Sequence, residues 1–353
     1  MKPTIRDVAR EAGVSVATVS RVLNGSGPVH EDTRERIRAV ARALRYVPDS
    51  AARSLITRRT ETLGVVLPDL YGEFFSEVMR GLDQAARRRG YHVLVSSSHA
   101  DRAEIEAAVG AMMGRVDGMV VMAPDVDAAA LAANLPESLP VVLLNSGLGG
   151  EDDAGATNGG TAAASIPFDV VDVDNYGGAR GAVRHLIALG HSRVAIIKGS
   201  ERNHDARERL RGYRDALAGA GLEAPPRWEI AGDFTEGAGH EAARRVVRMR
   251  PRPTALFAAN DTMAIGALSA LRESGARVPE DVAVVGFDDI PLARYMSPPL
   301  TSVHVDIARL GGRAVERLLE IVADGTGENR SARRRETLPT TLVVRDSCGG
   351  QTS

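Results

Sequence analysis

The first residues able to do specific chemistry lie in GVSVATVSR, positions 13–21. If Ser15–Leu23 is helical, Val16, Ala17, Ser20 and Arg21 share one outer face, and the N-terminal residues of such a helix can reach base edges. Arg21 can donate two parallel hydrogen bonds to guanine O6 and N7, worth about 1–3 kcal/mol of discrimination. Val16 and Ala17 offer apolar contact only, as to a thymine methyl. Thr18, Asn24, Thr33 and Tyr46 are residue types that hold phosphate oxygens, which position a reader without specifying sequence. Catalytic patterns are missing: there is no phosphate-cradling P-loop, no GxGxxG after a strand, no HExxH and no GxSxG elbow. His99, His185, His191, His204 and His240 show no metal-ligand spacing, and the single Cys348 allows neither an intrachain disulfide nor a cysteine metal cage. The sequence therefore predicts a protein that is not an enzyme and carries no cofactor or metal.

Three short helices must position the outer face. Ile5–Ala12 places Ile5, Val8, Ala9 and Ala12 together, Ser15–Leu23 follows Gly13-Val14, and Glu31–Leu44 repeats Ile37, Val40, Ala41 and Leu44 at helical spacing. Thr4 and Asp7 fit a capping box, Ser15 fits an N-cap, and Gly13 supplies the left-handed backbone of a tight turn. Val8, Val14, Val19 and Leu23 can pack the first two helices on the third. This is a helix-turn-helix pattern. A three-helix bundle without any nucleic-acid role would satisfy the same spacing.

After Leu63 the rhythm changes. Apolar runs at Leu63–Leu67, His92–Val95, Met119–Met122, Val141–Leu144, Val194–Ile197, Ala255–Ala258 and Val282–Val285 alternate with helical patterns. The helices include Glu73–Arg89, Gly177–Leu189, Arg207–Ala220, Glu236–Met249 and Thr262–Glu273. Such alternation implies parallel sheets covered by helices, and its length suits two α/β lobes with a cleft between them. The aperiodic stretch 147–164 reads as a surface loop, and 347–353 as a disordered tail.

Charge is divided unevenly. The first 60 residues hold 12 Lys/Arg and 6 Asp/Glu, so +6, whereas the whole chain of 353 has a net charge of −2. A basic head on an acidic body is the footprint of a nucleic-acid reader. No apolar run of about 18 residues is present to span a membrane. The charged N-terminus does not read as a secretory signal, so a cytoplasmic location is expected.

The run TIRDVAREAGVSVATVSRVLNG, with TRERI and RYVPDSAARSL after it, closely resembles the N-terminal signature of the LacI/GalR family of bacterial repressors. His30 departs from the usual Ser or similar helix cap, which implies a small loss of helix stability. The resemblance continues through LGVVLPDLYGEFFSEVMRGLDQAARRRGYHV, ALFAANDTMAIGAL, VPEDVAVVGFDDIPLARYMSPPLTSV and LPTTLVVR. It implies an α plus α/β chain: a three-helix head at 1–46, a hinge helix and linker at 47–60, and a periplasmic-binding-protein-like core at 61–346. That core would have two lobes, each discontinuous in sequence. In the family the segment matching 48–56 orders on operator DNA. The residue matching Leu55 wedges into the central base step through the minor groove, where the small residue matching Ala52 also lies. Val16-Ala17 resembles the galactose-repressor branch, which implies a palindrome with a central CG step.

Ligands of such a core would lie at strand ends and in the loops that follow them. Those positions hold Phe74 (or Phe75), Asn145, Asp172, Phe234, Asn260 and Asp288, and Arg209 matches the family's ligand-binding arginine three residues before Gly212. Asp, Asn and Arg around aromatic rings suit hydroxyls and a sugar face. Structural duties compete for several of them: Asp172 could cap a helix, and Phe75 could belong to the core. The resemblance implies a homodimeric repressor on palindromic double-stranded operator DNA, controlled by a small molecule, with a saccharide favoured. A regulator tightened by its ligand, responding to a purine, a phosphorylated metabolite or a partner protein, is the alternative. A polar C-terminus without a leucine heptad favours a dimer over a tetramer.

Overall fold

A computed structural model describes residues 3–23, 27–47, 59–126, 131, 135, 139–146, 168–324 and 334–350. Asn24, Ala52, Leu55, most of the hinge segment and the 147–164 stretch lie outside the described residues. Met1–Thr60 and Glu61–Ser353 form two compact units.

The first unit contains α1 (Ile5–Glu11), α2 (Val16–Leu23) and α3 (Glu31–Ala43). The Asp7 carboxylate accepts from Thr4 N–H at 2.9 Å and from Thr4 Oγ1 at 2.7 Å, fixing the first turn of α1. Gly13, at φ +63°, makes the turn to α2. Ser15 Oγ then accepts from Thr18 N–H at 3.1 Å and caps α2. His30 precedes α3 without any side-chain cap bond, while Glu31 and Asp32 occupy the positive end of that helix. Val8, Val19, Val22, Ile37 and Ala41 are buried together, with Val14 and Leu23 half-buried against them.

The second unit has two six-stranded sheets. The first is built from β1 (Thr62–Leu67), β2 (His92–Ser97), β3 (Gly118–Met122), β4 (Val141–Leu144), β5 (Asp169–Val173) and β11 (Arg335–Leu338), in spatial order β11-β5-β4-β3-β1-β2. The second is built from β6 (Val194–Lys198), β7 (Glu229–Ala231), β8 (Ala255–Ala258), β9 (Ala283–Asp288), β10 (Thr301–His304) and β12 (Thr341–Val343), in order β12-β10-β9-β8-β6-β7. All pairings are parallel except β10 with β12. The chain passes between lobes after β5, after β10 and between β11 and β12, so each lobe is discontinuous.

The pleat explains the continuous apolar runs. Leu63, Val65, Leu67, Val120, Met122, Val142 and Leu144 enter one core, while Val66, Met119, Val121, Val141 and Leu143 enter another. Strands buried on both faces need no polar alternation. The first lobe carries α4 (Glu73–Arg88), α5 (Arg102–Met112) and, from beyond β10, α10 (Ile307–Asp324). The second carries α6 (Asn175–Ala188), α7 (His204–Gly219), α8 (Glu236–Arg248) and α9 (Asp261–Glu273). No helix among the described residues is long and apolar enough to cross a membrane.

The reading of 347–353 as a disordered tail fails over its described part. Asp346–Cys348 form a 3-10 turn in which Ser347 and Cys348 are buried. Ser347 Oγ accepts from Thr301 N–H at 2.8 Å and donates to the Val284 carbonyl at 2.6 Å. A small hydroxyl that can both donate and accept thus docks a segment whose polar composition signals disorder.

Backbones of α4 and α10 approach so closely that a Cβ on Gly81 would collide with the Ala308 carbonyl. Gly81→Ala is expected to cost about 1–3 kcal/mol, as overpacking of a dense core does. A lower thermal unfolding midpoint with unchanged secondary structure checks this.

Candidate functional sites: a DNA-reading helix and an inter-lobe cavity

In the head, the buried face of α2 leaves a compact outer surface. Val16 is 41% exposed, Ala17 and Arg21 are exposed, and Ser20 is half-buried. Small residues at the start of the helix leave room for close approach, and Arg21 stands one turn further on. Thr18, Thr33 and Tyr46 are half-buried, and Thr18 Oγ1 lies 2.9 Å from Ser15 Oγ. The exposed side chains of α3 include Arg36, Arg38 and Arg42, a source of positive potential on the same unit.

In the second unit, a cavity of about 390 Å³ lies between the lobes. It is lined by five of the seven sequence-derived residues: Phe74, Arg209, Phe234, Asn260 and Asp288. Phe75 also lines it and meets Phe74 edge-on, with ring centroids 5.4 Å apart. Asn145 and Asp172 are buried but do not line it. Asn145 follows β4 with left-handed backbone (φ +46°) and lies buried beside Asp205. Asp172, within β5, accepts from Arg335 Nε at 3.0 Å.

Arg209 organises the cavity floor. Its Nε donates to Asn175 Oδ1 at 2.8 Å and its Nη1 to the Ala259 carbonyl at 2.5 Å. Nη2 lies 3.2 Å from Asp288 Oδ1, a charge contact without hydrogen-bond geometry. The guanidinium also sits 3.8 Å over the Phe287 ring. Asn175 passes the contact on: its Nδ2 donates to Asp205 Oδ1 at 2.9 Å. Asn260 caps α9 through Met263 N–H at 2.9 Å and holds the Phe234 carbonyl at 3.1 Å, fixing Phe234 at φ +70°. His99, Ala100, Phe234 and Asp288 all have positive φ and all line the cavity. Backbone strain of this kind gathers at functional sites.

Three buried carboxyls are raised above their ordinary range, two of them lining the cavity. Burial pushes Asp205 up to about 7, against the pull of Arg209 and with help from Asp172 and Asp288. Burial raises Asp288 to about 6, again opposed by Arg209. Asp261, raised well above the usual range by burial, serves packing instead: it accepts from Ser302 Oγ at 2.5 Å and Ile290 N–H at 2.9 Å. Asp289 pairs with Arg345 at 2.7 Å and His304 at 3.0 Å.

Sequence reasoning missed Asp205, Asn175 and Asn203. The spacing of Asp205 and Arg209, one helical turn apart, was a usable signal, because i and i+4 share a face. Asn203 caps α7 through Ala206 N–H at 3.0 Å and reaches Asp125 of the other lobe at 3.3 Å. His204 N–H donates to the Pro124 carbonyl at 2.8 Å, and Leu292 N–H to Glu73 Oε2 at 2.9 Å, so hydrogen bonds among the described residues tie the lobes beside the cavity. Among the described residues no group of three or more His, Cys, Asp or Glu is placed to hold a metal ion.

A helix-turn-helix unit joined to a two-lobed α/β unit with a cleft cavity defines a ligand-responsive DNA-binding regulator. Residues 4–49 match the model of bacterial regulatory proteins of the lacI family, and residues 183–348 match a periplasmic binding protein-like domain. The chain is 35% identical over 329 residues to the HTH-type transcriptional repressor PurR of Photobacterium profundum, covering 93% of this chain and 94% of that protein. Among solved structures it is similar to a transcriptional regulator CelR–cellobiose complex (34% identity, TM-score 0.70, 98% and 99% of the two chains). It is also similar to the lac repressor dimer bound to operator and the anti-inducer ONPF (29% identity, TM-score 0.84, 99% of each chain). The chain belongs to the lacI family of bacterial regulatory proteins and is a DNA-binding transcriptional regulator, not an enzyme.

Arg209→Ala removes the cation from a floor holding two buried acids. The expected loss is about 3–5 kcal/mol at pH 8. It shrinks toward pH 5, where Asp205 and Asp288 take up protons. Denaturant unfolding at the two pH values checks this; an equal loss at both would contradict it.

Proposed function

We propose that the protein is a repressor that binds a palindromic operator as a homodimer and is controlled by a saccharide held in the inter-lobe cavity. One observation carries the reading: the cavity sets Phe74, Phe75 and Phe234 around Arg209, Asn260 and Asp288. Aromatic faces suit the apolar side of a sugar ring, and the polar set suits its hydroxyls. The cellobiose complex of a similar regulator and the operator-bound dimer of another support the same assignment.

In this reading Val16, Ala17, Ser20 and Arg21 read bases, while Thr18, Asn24, Thr33 and Tyr46 position the head on phosphates. Ala52 and Leu55 enter the minor groove from the hinge. A single head reads half a site, so a two-fold dimer reads a palindrome. The ligand acts by preferring one arrangement of the lobes, and it shifts operator affinity only by its differential affinity for the two states.

Fluorescence anisotropy with a palindromic duplex bearing a central CG step, titrated in the presence of mono- and oligosaccharides, tests the proposal. One sugar should abolish sequence-specific binding at moderate salt. A preferred operator that responds to a purine and to no sugar would contradict the saccharide assignment. Failure to recover any preferred sequence by operator selection, with and without these ligands, would contradict the whole reading. Arg21→Ala, which removes one guanine contact from each half-site, should weaken operator binding by the dimer about 30-fold or more and relax preference at one base pair of each half-site. Thr18→Ala should weaken all sequences alike.

A further inference from the structure

The charge of the inter-lobe cavity restricts what can enter it. Six carboxylates line it: Asp69, Asp125, Asp205, Asp233, Glu236 and Asp288. Arg209 is the one lining Lys or Arg among the described residues; two of its five N–H donors are given to Asn175 and the Ala259 carbonyl, and its charge is countered by Asp288. An anionic ligand would therefore bring negative charge to an acidic, half-enclosed space whose guanidinium is already countered by Asp288. Low-dielectric walls strengthen such repulsion.

Asp205 is the member of this set best placed to discriminate. It is 6% exposed and lies on the cavity floor one turn before Arg209. The groups around it come from several elements: Arg209 on its own helix, Asn175 from α6, Asp172 from β5, Asp288 from the end of β9 and Asn145 just after β4. Asn175 holds Oδ1; with its pKa pushed up to about 7 by burial, Asp205 is ionised in part at neutral pH and predominantly at pH 8, and the ionised form can only accept hydrogen bonds. A hydroxyl or an ammonium supplies a further donor to this buried acceptor. A phosphate or carboxylate supplies only acceptors and a like charge.

We propose that the cavity admits uncharged or ammonium-bearing polyols and excludes phosphorylated or carboxylated ones, with Asp205 as the specificity-determining residue. This rests on the saccharide reading above and narrows it to a charge class.

The test uses the full chain at pH 8, where Asp205 is mostly ionised, and matched ligands: glucose, glucosamine and glucose 6-phosphate; cellobiose and cellobionate; adenine and AMP. Ligand-induced shifts in the unfolding midpoint give the affinities. The uncharged or ammonium member of a binding set should bind at least about tenfold more tightly than its anionic counterpart, and Asp205→Asn should narrow that gap. An anionic member that binds as tightly as its neutral counterpart overturns the inference while leaving the regulator assignment intact. Adenine binding alone, with every saccharide silent, overturns the saccharide reading and with it the polyol assignment, while leaving the regulator assignment intact.

A ligand-free measurement applies whichever ligand binds. A carboxyl whose pKa is raised on folding lets the native state hold more protons than the unfolded chain, so stability falls as pH rises through that window. Between pH 5 and pH 8 the midpoint of Asp205→Asn should therefore fall less than that of the wild type; Asp288 and Asp261, also raised by burial, add slope of the same sign in both proteins, and His185 and His191, lowered by burial, oppose it in both. Parallel curves for the two proteins would overturn the role given to Asp205.

Discussion

The second unit is organised around one buried cation. Arg209 reaches from α7 to Asn175 at the start of α6, to the Ala259 carbonyl after β8 and to Asp288 at the end of β9. A guanidinium suits this duty because its planar fork presents several donors in fixed directions and stays charged when buried. Without it, the inward-facing acids would have no compensating charge, and the loops after three separate elements would lose their common anchor. Because Arg209 also lines the cavity, a ligand on this floor meets a network whose geometry is already set by protein contacts. Such preorganisation lowers the entropic cost of recognition.

Among the described residues, polar contacts between the lobes beside this floor include Asn203 to Asp125, His204 N–H to the Pro124 carbonyl and Leu292 N–H to Glu73. Hydrogen bonds exchanged with water contribute only about 0.5–1.5 kcal/mol each. A ligand that spans the cleft can therefore compete with them and bias one lobe arrangement over another. Within each lobe the position is reversed. The interior strands are buried on both faces, and α4 and α10 touch backbone to backbone at Gly81. Rigid bodies joined by a weakly tied cleft are suited to hinge and shear motion.

Much of this was legible in the sequence. Gly13, Ser15 and the Thr4–Asp7 pair marked the head because each local signal has one mechanical use, and the structure employs all three. Continuous apolar runs gave the interior strands, since a two-sided strand must be apolar throughout. Elements at the sheet edges were harder to read. β11 is the polar sequence RETL, β7 has three residues, and neither offers periodicity. In the site, strand ends marked the correct regions, but side-chain direction depends on register. Asp172 consequently pairs with Arg335 behind the floor instead of facing the cavity. Asp205 went unread for another reason. A buried carboxylate runs against ordinary burial preference, and only the assembled cluster of Asn175, Arg209 and Asp205 shows why it is tolerated.

The central claim is that cavity and operator are thermodynamically linked. The most direct test is calorimetric titration of the saccharide that alters operator binding into the protein, free and then saturated with operator duplex. Linkage requires that the ligand's affinity change by the same factor by which it changes operator affinity. A matched change is the predicted result. Equal saccharide affinity in the free and the operator-bound protein would contradict the account.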